Sequence, residues 1–401
     1  MFLESAIYNE MKISYEKKFF KLFGSFCQQI DYEIIERSET AMKSYFKNKN
    51  IELDIVQKIT NKKGDKITSS VKKIKSFFDV WTYDPNIIEY ETITFKCDKS
   101  LVKSYEYNMF KWFNHFDNLQ KLKVKHDEVY EHIKSLVNYN ESHFNYLLDW
   151  FAQLVQYPHI KPHTCLIFIS EEGVGKDIFM KFISNVINPN YTHNVEKLEL
   201  ICGKFNSSLG GKLLIAINET DPIESAQRIE NIKYLITADA VSIEQKNKDA
   251  VRHPHYARFI FFSNRLLAFP VEEGSRRPVI IQSSSKYLKQ VIGEDENKKY
   301  FTNLSENIYK NEEYQYQFLE MLKNRDISQF NPQKFEKSEL HKELEATSQS
   351  PIVDFLAPIV IENPNKKIVK RTSVECLNEL SFQMKENNLN MIIQLKNLLL
   401  R

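Results

Sequence analysis

Glycine is scarce in this chain, with nine residues among 401. Glycine enters left-handed backbone freely, so each one marks a turn or a close approach more sharply than usual. Cysteine is thin as well. Cys27, Cys97, Cys165, Cys202 and Cys376 contain no Cys-x-x-Cys pair, which argues against a disulfide framework or a thiolate zinc site and fits a reducing compartment. No run of 18 apolar residues occurs, and Met1–Glu10 lack a cationic stretch followed by an apolar core. The expectation is therefore a soluble, intracellular protein with no membrane partner, cytoplasm or nucleus being left open. Neither sign of charge dominates: 55 basic against 53 acidic residues leave +2, so any nucleic-acid contact has to come from local patches and not from a bulk field. There is no internal repeat and no low-complexity linker. What remains is material for a large buried core, 42% of the residues being hydrophobic, in two or three domains.

Two of the nine glycines stand two apart in Cys165-Leu-Ile-Phe-Ile-Ser-Glu-Glu-Gly-Val-Gly-Lys-Asp-Ile-Phe-Met180. An apolar strand here enters a glycine turn, a lysine and an amphipathic helix, the pattern of a phosphate-binding loop. Successive amides of such a turn and the helix N-terminus cradle phosphate oxygens, and Lys176 adds a point charge. The nucleotide-binding residues expected are Ser170, Glu171, Glu172, Gly173, Val174, Gly175, Lys176 and Asp177. Two depart from G-x-x-x-x-G-K-[ST]: Ser170 replaces the first glycine and Asp177 the magnesium-binding hydroxyl.

Downstream, Gly210-Gly-Lys-Leu-Leu-Ile-Ala-Ile-Asn-Glu219 holds five consecutive apolar residues ending at Asn218-Glu219, the form of a buried parallel strand with an acid at its C-terminal end. In a doubly wound sheet those ends share one edge, so Glu219 would face the phosphates, orient a water and help hold magnesium. The alternative is a core strand that happens to end in a carboxylate. Ala257-Arg-Phe-Ile-Phe-Phe-Ser-Asn264 offers Asn264 to hold an attacking water, and Pro278-Val-Ile-Ile-Gln282 follows Arg276 and Arg277, which could reach a neighbouring subunit's γ-phosphate. The alternation of strands and helices from 165 to 282 predicts an α/β fold with a mostly parallel sheet.

This order of loop, Asn-Glu strand, basic hairpin, Ser-Asn strand and Arg-Arg resembles the superfamily 3 helicases, in particular the poxvirus-type primase-helicases of viruses, phages and mobile elements, over residues 75 to 400. The resemblance implies an AAA+-like P-loop NTPase core and an ATP-dependent DNA helicase acting in replication, translocating on single-stranded DNA as a homo-oligomeric ring, expected to be a hexamer. ATP and Mg2+ would be the cofactors, with Asp177 and Glu219 as metal ligands and Lys176, Glu219, Asn264, Arg276 and Arg277 as catalytic residues. Asp177 could ligate magnesium directly or repel the triphosphate. A primase domain with paired aspartates is missing upstream, so a separate primase or polymerase is an expected partner, or the chain is a fragment of a longer protein. Rival readings are a nucleotide-binding replication or assembly protein with weak or no hydrolysis, and an unrelated P-loop kinase.

Between the Asn-Glu and Ser-Asn strands, Val241–His253 reads as two short strands around Asn247-Lys248-Asp249, which is hairpin chemistry. By the resemblance this hairpin grips DNA through Lys246, Lys248, Arg252 and His253; a merely soluble turn is the alternative. The chain divides by this reading into an N-terminal accessory and lead-in region of helical and mixed character (1–135), the ATPase domain (136–290) and a helical C-terminal region (291–401) that the resemblance reads as a partial winged helix. Tyr15–Phe23 shows helical periodicity. Lys62, Lys63, Lys66, Lys72, Lys73 and Lys75 form a basic cluster, an ordinary solvated face or a DNA-contacting patch. The aromatics from Trp81 to Phe113 read as core, Glu141–Val155 as the helix before the first core strand, and Ile178–Ile187 as the helix after the loop. Tyr309–Arg325, Ser338–Ala346, Pro351–Leu356 and Thr372–Met384 are expected helices. Pro158 and Pro162 argue against a helical zinc pair at His159 and His163.

Overall fold

The computed structural model describes residues 6–347 apart from 31–32, 61–65, 114–115, 117–126, 219–221, 245, 247–248, 266–268, 270 and 272–273. The chain divides into two compact units, Met1–Trp112 and Phe113–Arg401.

In the first unit α1 (Ala6–Glu16) leads to β1 (Phe19–Leu22), and β2 (Ser25–Ile30) returns after a turn in which Phe23 and Gly24 take φ of 48° and 79°. Next come β3 (Glu33–Arg37), α2 (Glu39–Tyr45), β4 (Asn50–Thr60), β5 (Lys66–Ser76), α3 (Phe77–Thr82), β6 (Glu89–Tyr90), β7 (Thr92–Thr94) and β8 (Glu106–Asn108). Four strands form a sheet in the order β3-β2-β1-β6, while β4 with β5 and β7 with β8 make two-stranded sheets.

The helical reading of Tyr15–Phe23 is corrected here, because α1 ends at Glu16 and a strand begins at Phe19. Adjacent strand residues point to opposite faces. Phe19 accordingly joins Phe46, Phe77 and Trp81, whereas Phe20 stacks on Tyr107 with ring centroids 4.2 Å apart. A helix would turn neighbouring rings only about 100° apart and could not serve two clusters. The N-terminal part is thus a β-rich unit, not a helical one. Of the lysine cluster, Lys66, Lys72, Lys73 and Lys75 lie on β5, with Lys72 paired to Glu52 at 3.1 Å, and Lys62 and Lys63 fall outside the described residues. Trp81, Tyr107, Phe110 and Phe113 are buried, so these aromatics of the lead-in segment are core residues.

In the second unit α4 (Asp127–Leu136) and α5 (Glu141–Gln156) come first, α5 being capped by Asn140, whose Oδ1 accepts from the His143 amide at 2.9 Å. Then follow β9 (Cys165–Ile169), α6 (Lys176–Ile187), β10 (Thr192–Val195), α7 (Glu199–Cys202), β11 (Leu214–Asn218), α8 (Pro222–Thr237), β12 (Ala240–Ile243), β13 (Val251–Pro254), β14 (Arg258–Ser263) and β15 (Pro278–Gln282). The chain continues through α9 (Lys289–Ile292), α10 (Glu294–Thr302), a π-helical turn (Asn303–Tyr309), α11 (Glu312–Asn324) and α12 (Glu339–Thr347).

The sheet is wholly parallel in the order β10-β11-β14-β9-β15, as the alternating pattern predicts. Every residue of β9 and β14 is buried, which explains the unbroken apolar runs Cys165–Ile169 and Phe259–Phe262. The chain leaves β9 toward β10 on one side and later places β15 on the other, so the strand order reverses beside β9. A crevice for ligands forms at the C-terminal strand ends of such a point. α12 matches the expected helix at 338–346 to within one residue, and Ser338 Oγ accepts from the His341 amide at 3.1 Å. The helix expected from Tyr309 begins three residues later, after the π turn. The expected helices at Pro351–Leu356 and Thr372–Met384, and with them the winged-helix reading of the chain end, lie outside the described residues. Among the described residues no helix is long and apolar enough to cross a membrane.

Replacing the fully buried Trp81 by alanine should lower the stability of the first unit by about 3–5 kcal/mol. Hydrogen exchange in urea is the measurement: protection should fall across β1–β3 and α3 and remain unchanged across β9–β15.

Candidate functional site

The segment that leaves β9 turns twice through left-handed backbone, at Gly173 (φ 88°) and Gly175 (φ 93°), and Lys176 opens α6. Val174 between them is buried, while Asp177 is exposed in the first helical turn. The Ser170 amide donates to Ser263 O at 3.0 Å and the Ser283 amide to Ile169 O at 3.0 Å, so the ends of β14, β9 and β15 meet in one row. Asn218 pairs in register with Phe262, one residue before Ser263. Side chains close the mouth: Asn264 Nδ2 donates to Glu172 Oε1 at 3.2 Å and Ser285 Oγ to Glu171 Oε1 at 2.5 Å. Among the described residues, Asn218 Oδ1 and Ser283 Oγ are buried at this edge without a hydrogen-bond partner. Buried polar atoms of that kind call for a ligand or water.

Beneath the turn lies His132 of α4. Its Nε2 is 3.3 Å from Val174 O and its Nδ1 2.7 Å from Tyr309 Oη. A Cβ at Gly175 would stand 2.6 Å from His132 Nε2 and 2.7 Å from Phe301 Cε1, so no other residue fits there. Burial pushes the imidazole down to about 4, with the Val174 carbonyl opposing, and His132 is neutral at pH 7. The neighbouring Glu131 accepts from Lys286 Nζ (2.8 Å), Tyr287 Oη (2.6 Å) and Tyr139 Oη (2.7 Å). Burial would raise its carboxyl, but these donors outweigh that and hold it at about 2. Lys286 and Tyr287 thereby tie α4 to the strap that leads from β15 to α9.

The sequence-predicted site residues divide between two edges of the sheet. Ser170 to Asp177, Asn218 and Asn264 share the C-terminal edge. Arg276 and Arg277 precede β15 at the other edge, where Arg277 O accepts from the Cys165 amide at 2.8 Å. The five residues of β9, at about 3.3 Å each, put roughly 16 Å between them and the loop. Glu219 lies outside the described residues. Among those described, no group of three His, Cys, Asp or Glu side chains gathers to hold a metal.

The expected hairpin is present, β12 pairing antiparallel with β13. Lys246, Arg252 and His253 are exposed and Lys248 falls outside the described residues. Asn206 braces it, donating Nδ2 to Ser242 O at 2.9 Å and accepting from the Glu244 amide at 3.0 Å. At its root, Lys161 Nζ donates to Leu235 O (2.7 Å) and Ala238 O (2.9 Å), capping the end of α8. His255 Nε2 reaches the same Leu235 O at 3.0 Å, and an Arg258 terminal nitrogen (Nη2) donates to Ile160 O at 2.7 Å. Burial first, then the Arg258 charge, brings the Lys161 ammonium down to about 7.

His132, Phe301 and Tyr309 are the residues around the loop that the sequence reading missed. One signal for His132 was available: it sits with Val129, Ile133 and Leu136 on the buried stripe of α4, where a polar residue needs a reason. Nothing local marks Tyr309, which is brought in by the π turn.

Residues 168–277 match a family of unknown function, DUF5906. Over 230 residues, 55% of this chain and 32% of the relative, the sequence is 25% identical to the DNA primase-polymerase of Nitratiruptor phage NrS-1; the chain thus spans about a third of that relative's length. The apo structure of the NrS-1 C-terminal region (305–718) superposes with a TM-score of 0.60 at 16% identity, covering 93% of this chain and 85% of that one. An A-form apo structure of the same region gives 0.58 with the same coverage. The chain is therefore similar in fold to that C-terminal region across both of its units.

Because the His132 imidazole takes up its proton near pH 4 in the folded protein and near 6.5 in the unfolded chain, the unfolded state binds the extra proton between those values. Its contribution is fully present above pH 6.5 and declines as pH falls to 4. His132→Gln should remove that slope, on the order of 3 kcal/mol across the window. Urea midpoints of both proteins between pH 4.5 and 7 check this; parallel profiles would contradict it.

Proposed function

We propose that this chain is a nucleotide-driven motor on DNA, of the superfamily 3 type with an AAA+-like P-loop core, working in the replication of a phage, virus or mobile element. One observation carries the reading: a turn with two left-handed glycines and a lysine lies at the C-terminal end of the strand beside which the sheet order reverses, and it opens a twelve-residue helix. Those features form an anion cradle of backbone amides, helix N-terminus and ammonium. The Asn218 and Ser283 side-chain oxygens, buried at the same edge and without a partner among the described residues, and the likeness to a phage primase-polymerase, support it.

In this reading Lys176 lies on the β- and γ-phosphates of ATP, and Asp177 with Glu219 completes the Mg2+ shell. Glu219 activates the attacking water and Asn264, released from Glu172, senses the γ-phosphate. Arg276 or Arg277 comes from the adjacent protomer of a hexameric ring, since both stand at the opposite edge of their own sheet, and stabilises the charge of the transition state. Lys246, Lys248, Arg252 and His253 contact the phosphates of single-stranded DNA without reading sequence. Priming is assigned to a separate primase or polymerase, or to a segment beyond this chain. The boundaries 136–290 for the ATPase domain and 291–401 for the C-terminal region belong to this proposal.

A second reading rests on Asp177. An exposed carboxylate in the first turn of α6, in place of a hydroxyl, favours a protein that binds nucleotide and hydrolyses it weakly or not at all.

Phosphate release with and without single-stranded DNA decides between them. The motor reading expects stimulation by DNA, loss of the activity in Lys176→Ala, and a loss of about a hundredfold or more in Glu219→Gln with nucleotide still bound. A folded, oligomeric protein whose phosphate release ignores DNA would sink it. Arg252→Ala should weaken DNA binding evenly across sequences and reduce the salt slope of log K by about 1.

A further inference from the structure

We infer that His132 is a positioning residue for the phosphate loop, holding the Val174–Gly175 peptide in the one orientation that presents an amide to an anion. The inference rests on the nucleotide-binding reading above. Among the described residues every peptide bond is trans, and in a trans peptide the C=O and the following N–H point in opposite directions. Val174 O faces inward, 3.3 Å from His132 Nε2. The Gly175 N–H is thereby turned outward to the mouth of the loop.

The protonation state follows from the partners. A carbonyl oxygen only accepts, so Nε2 must carry the hydrogen; in the neutral ring Nδ1 then has a lone pair, and Tyr309 Oη, 2.7 Å away, donates to it. Tyr309 in turn is fixed by stacking on Phe182 of α6 with centroids 4.2 Å apart. The rings of Phe179, Tyr300 and Phe301 stand around the imidazole with centroids at 6.2–6.4 Å. The donor is therefore dry, oriented and of one tautomer.

A peptide beside a left-handed glycine flips easily, because the glycine tolerates both resulting conformations. Flipped, it would aim the Val174 carbonyl dipole at the phosphates and repel them. Gly175 provides the backbone freedom that this turn requires, and the His132 bond removes the wrong alternative. The lack of room for a Cβ at 175 keeps the position, and the backbone freedom that comes with it, to glycine.

The test uses the full chain, N-methylanthraniloyl ATP as the fluorescent probe, and 15N-glycine labelling, which gives at most nine backbone signals. Lys176→Ala reports on the nucleotide reading alone: if the wild type binds no probe, or binds it no better than Lys176→Ala, that reading falls and this inference with it. Given binding that depends on Lys176, His132→Leu should raise Kd about tenfold or more, and His132→Gln, which keeps a donor, should stay within about threefold of wild type. Tyr309→Phe should fall between them. The Gly175 amide signal should shift with probe in the wild type and the Gln variant and not in the Leu variant. A purely structural role would lower the melting temperature and the affinity of Leu and Gln variants together. Equal affinity for wild type and a folded His132→Leu, or equal weakening in Leu and Gln, overturns the inference and leaves the nucleotide reading standing. If the Leu variant does not fold, a Tyr309→Phe protein that is indistinguishable from wild type in Kd and in its Gly175 signal overturns it as well.

Discussion

The pairing of β9 with a parallel neighbour on each side is the constraint on which the second unit depends. β9 is buried on both faces, so the usual inside-outside alternation does not choose its register. Its ends do. The Cys165 amide on Arg277 O, the Ser170 amide on Ser263 O and the Ser283 amide on Ile169 O fix it. Once these bonds are made, three strand ends lie level, and the turn through Gly173 and Gly175 has to emerge between β14 and β15. Everything at the site is measured from that row: the reach of Asn264 to Glu172, of Ser285 to Glu171, and the seating of Val174 over His132.

Much of this unit was legible from residue order because it is built on long-range burial with strong local signatures. Runs such as Cys165–Ile169 and Phe259–Phe262 have no polar face to confuse them with an amphipathic helix, and Asn-Lys-Asp between alternating residues permits little but a hairpin. The first unit was less legible because its aromatics serve two clusters. Phe19 and Phe20 read like part of a helical stripe with Tyr15, and only the partners Phe46 and Tyr107, far along the chain, show that they face apart. The glycine turn between strand and helix was legible and its support was not. Gly175 was singled out for a proposed phosphate role, yet the contact that forbids a side chain there comes from His132 and Phe301, 43 residues before and 126 after. A π turn, which brings Tyr309 into place, has no local sequence mark.

Charge is distributed by edge. The chain carries almost none in sum, and the glycine turn with Lys176 and the Arg276-Arg277 pair occupy opposite ends of one sheet. Within a single copy, about 16 Å of stiff strand separates those guanidinium groups from the turn. Under the proposed reading the γ-phosphate site is therefore shared property, complete only where two copies abut. Each copy then offers a loop on one side and a finger on the other, which is the head-to-tail arrangement that closes into rings.

The root of the β12–β13 hairpin has a mechanical meaning. Leu235 O and Ala238 O, carbonyls at the end of α8 that lead into the hairpin, are held by Lys161 and His255, and Arg258 at the start of β14 holds Ile160 O in the segment that enters β9. These groups are buried, and leaving one without its partner costs about 1–3 kcal/mol. The hairpin is consequently a spoke set into a hub and not a loose flap. A sideways load on its tip is borne at the foot of the strand whose head carries the glycine turn, and the spoke can swing freely only after that hub has been unpicked.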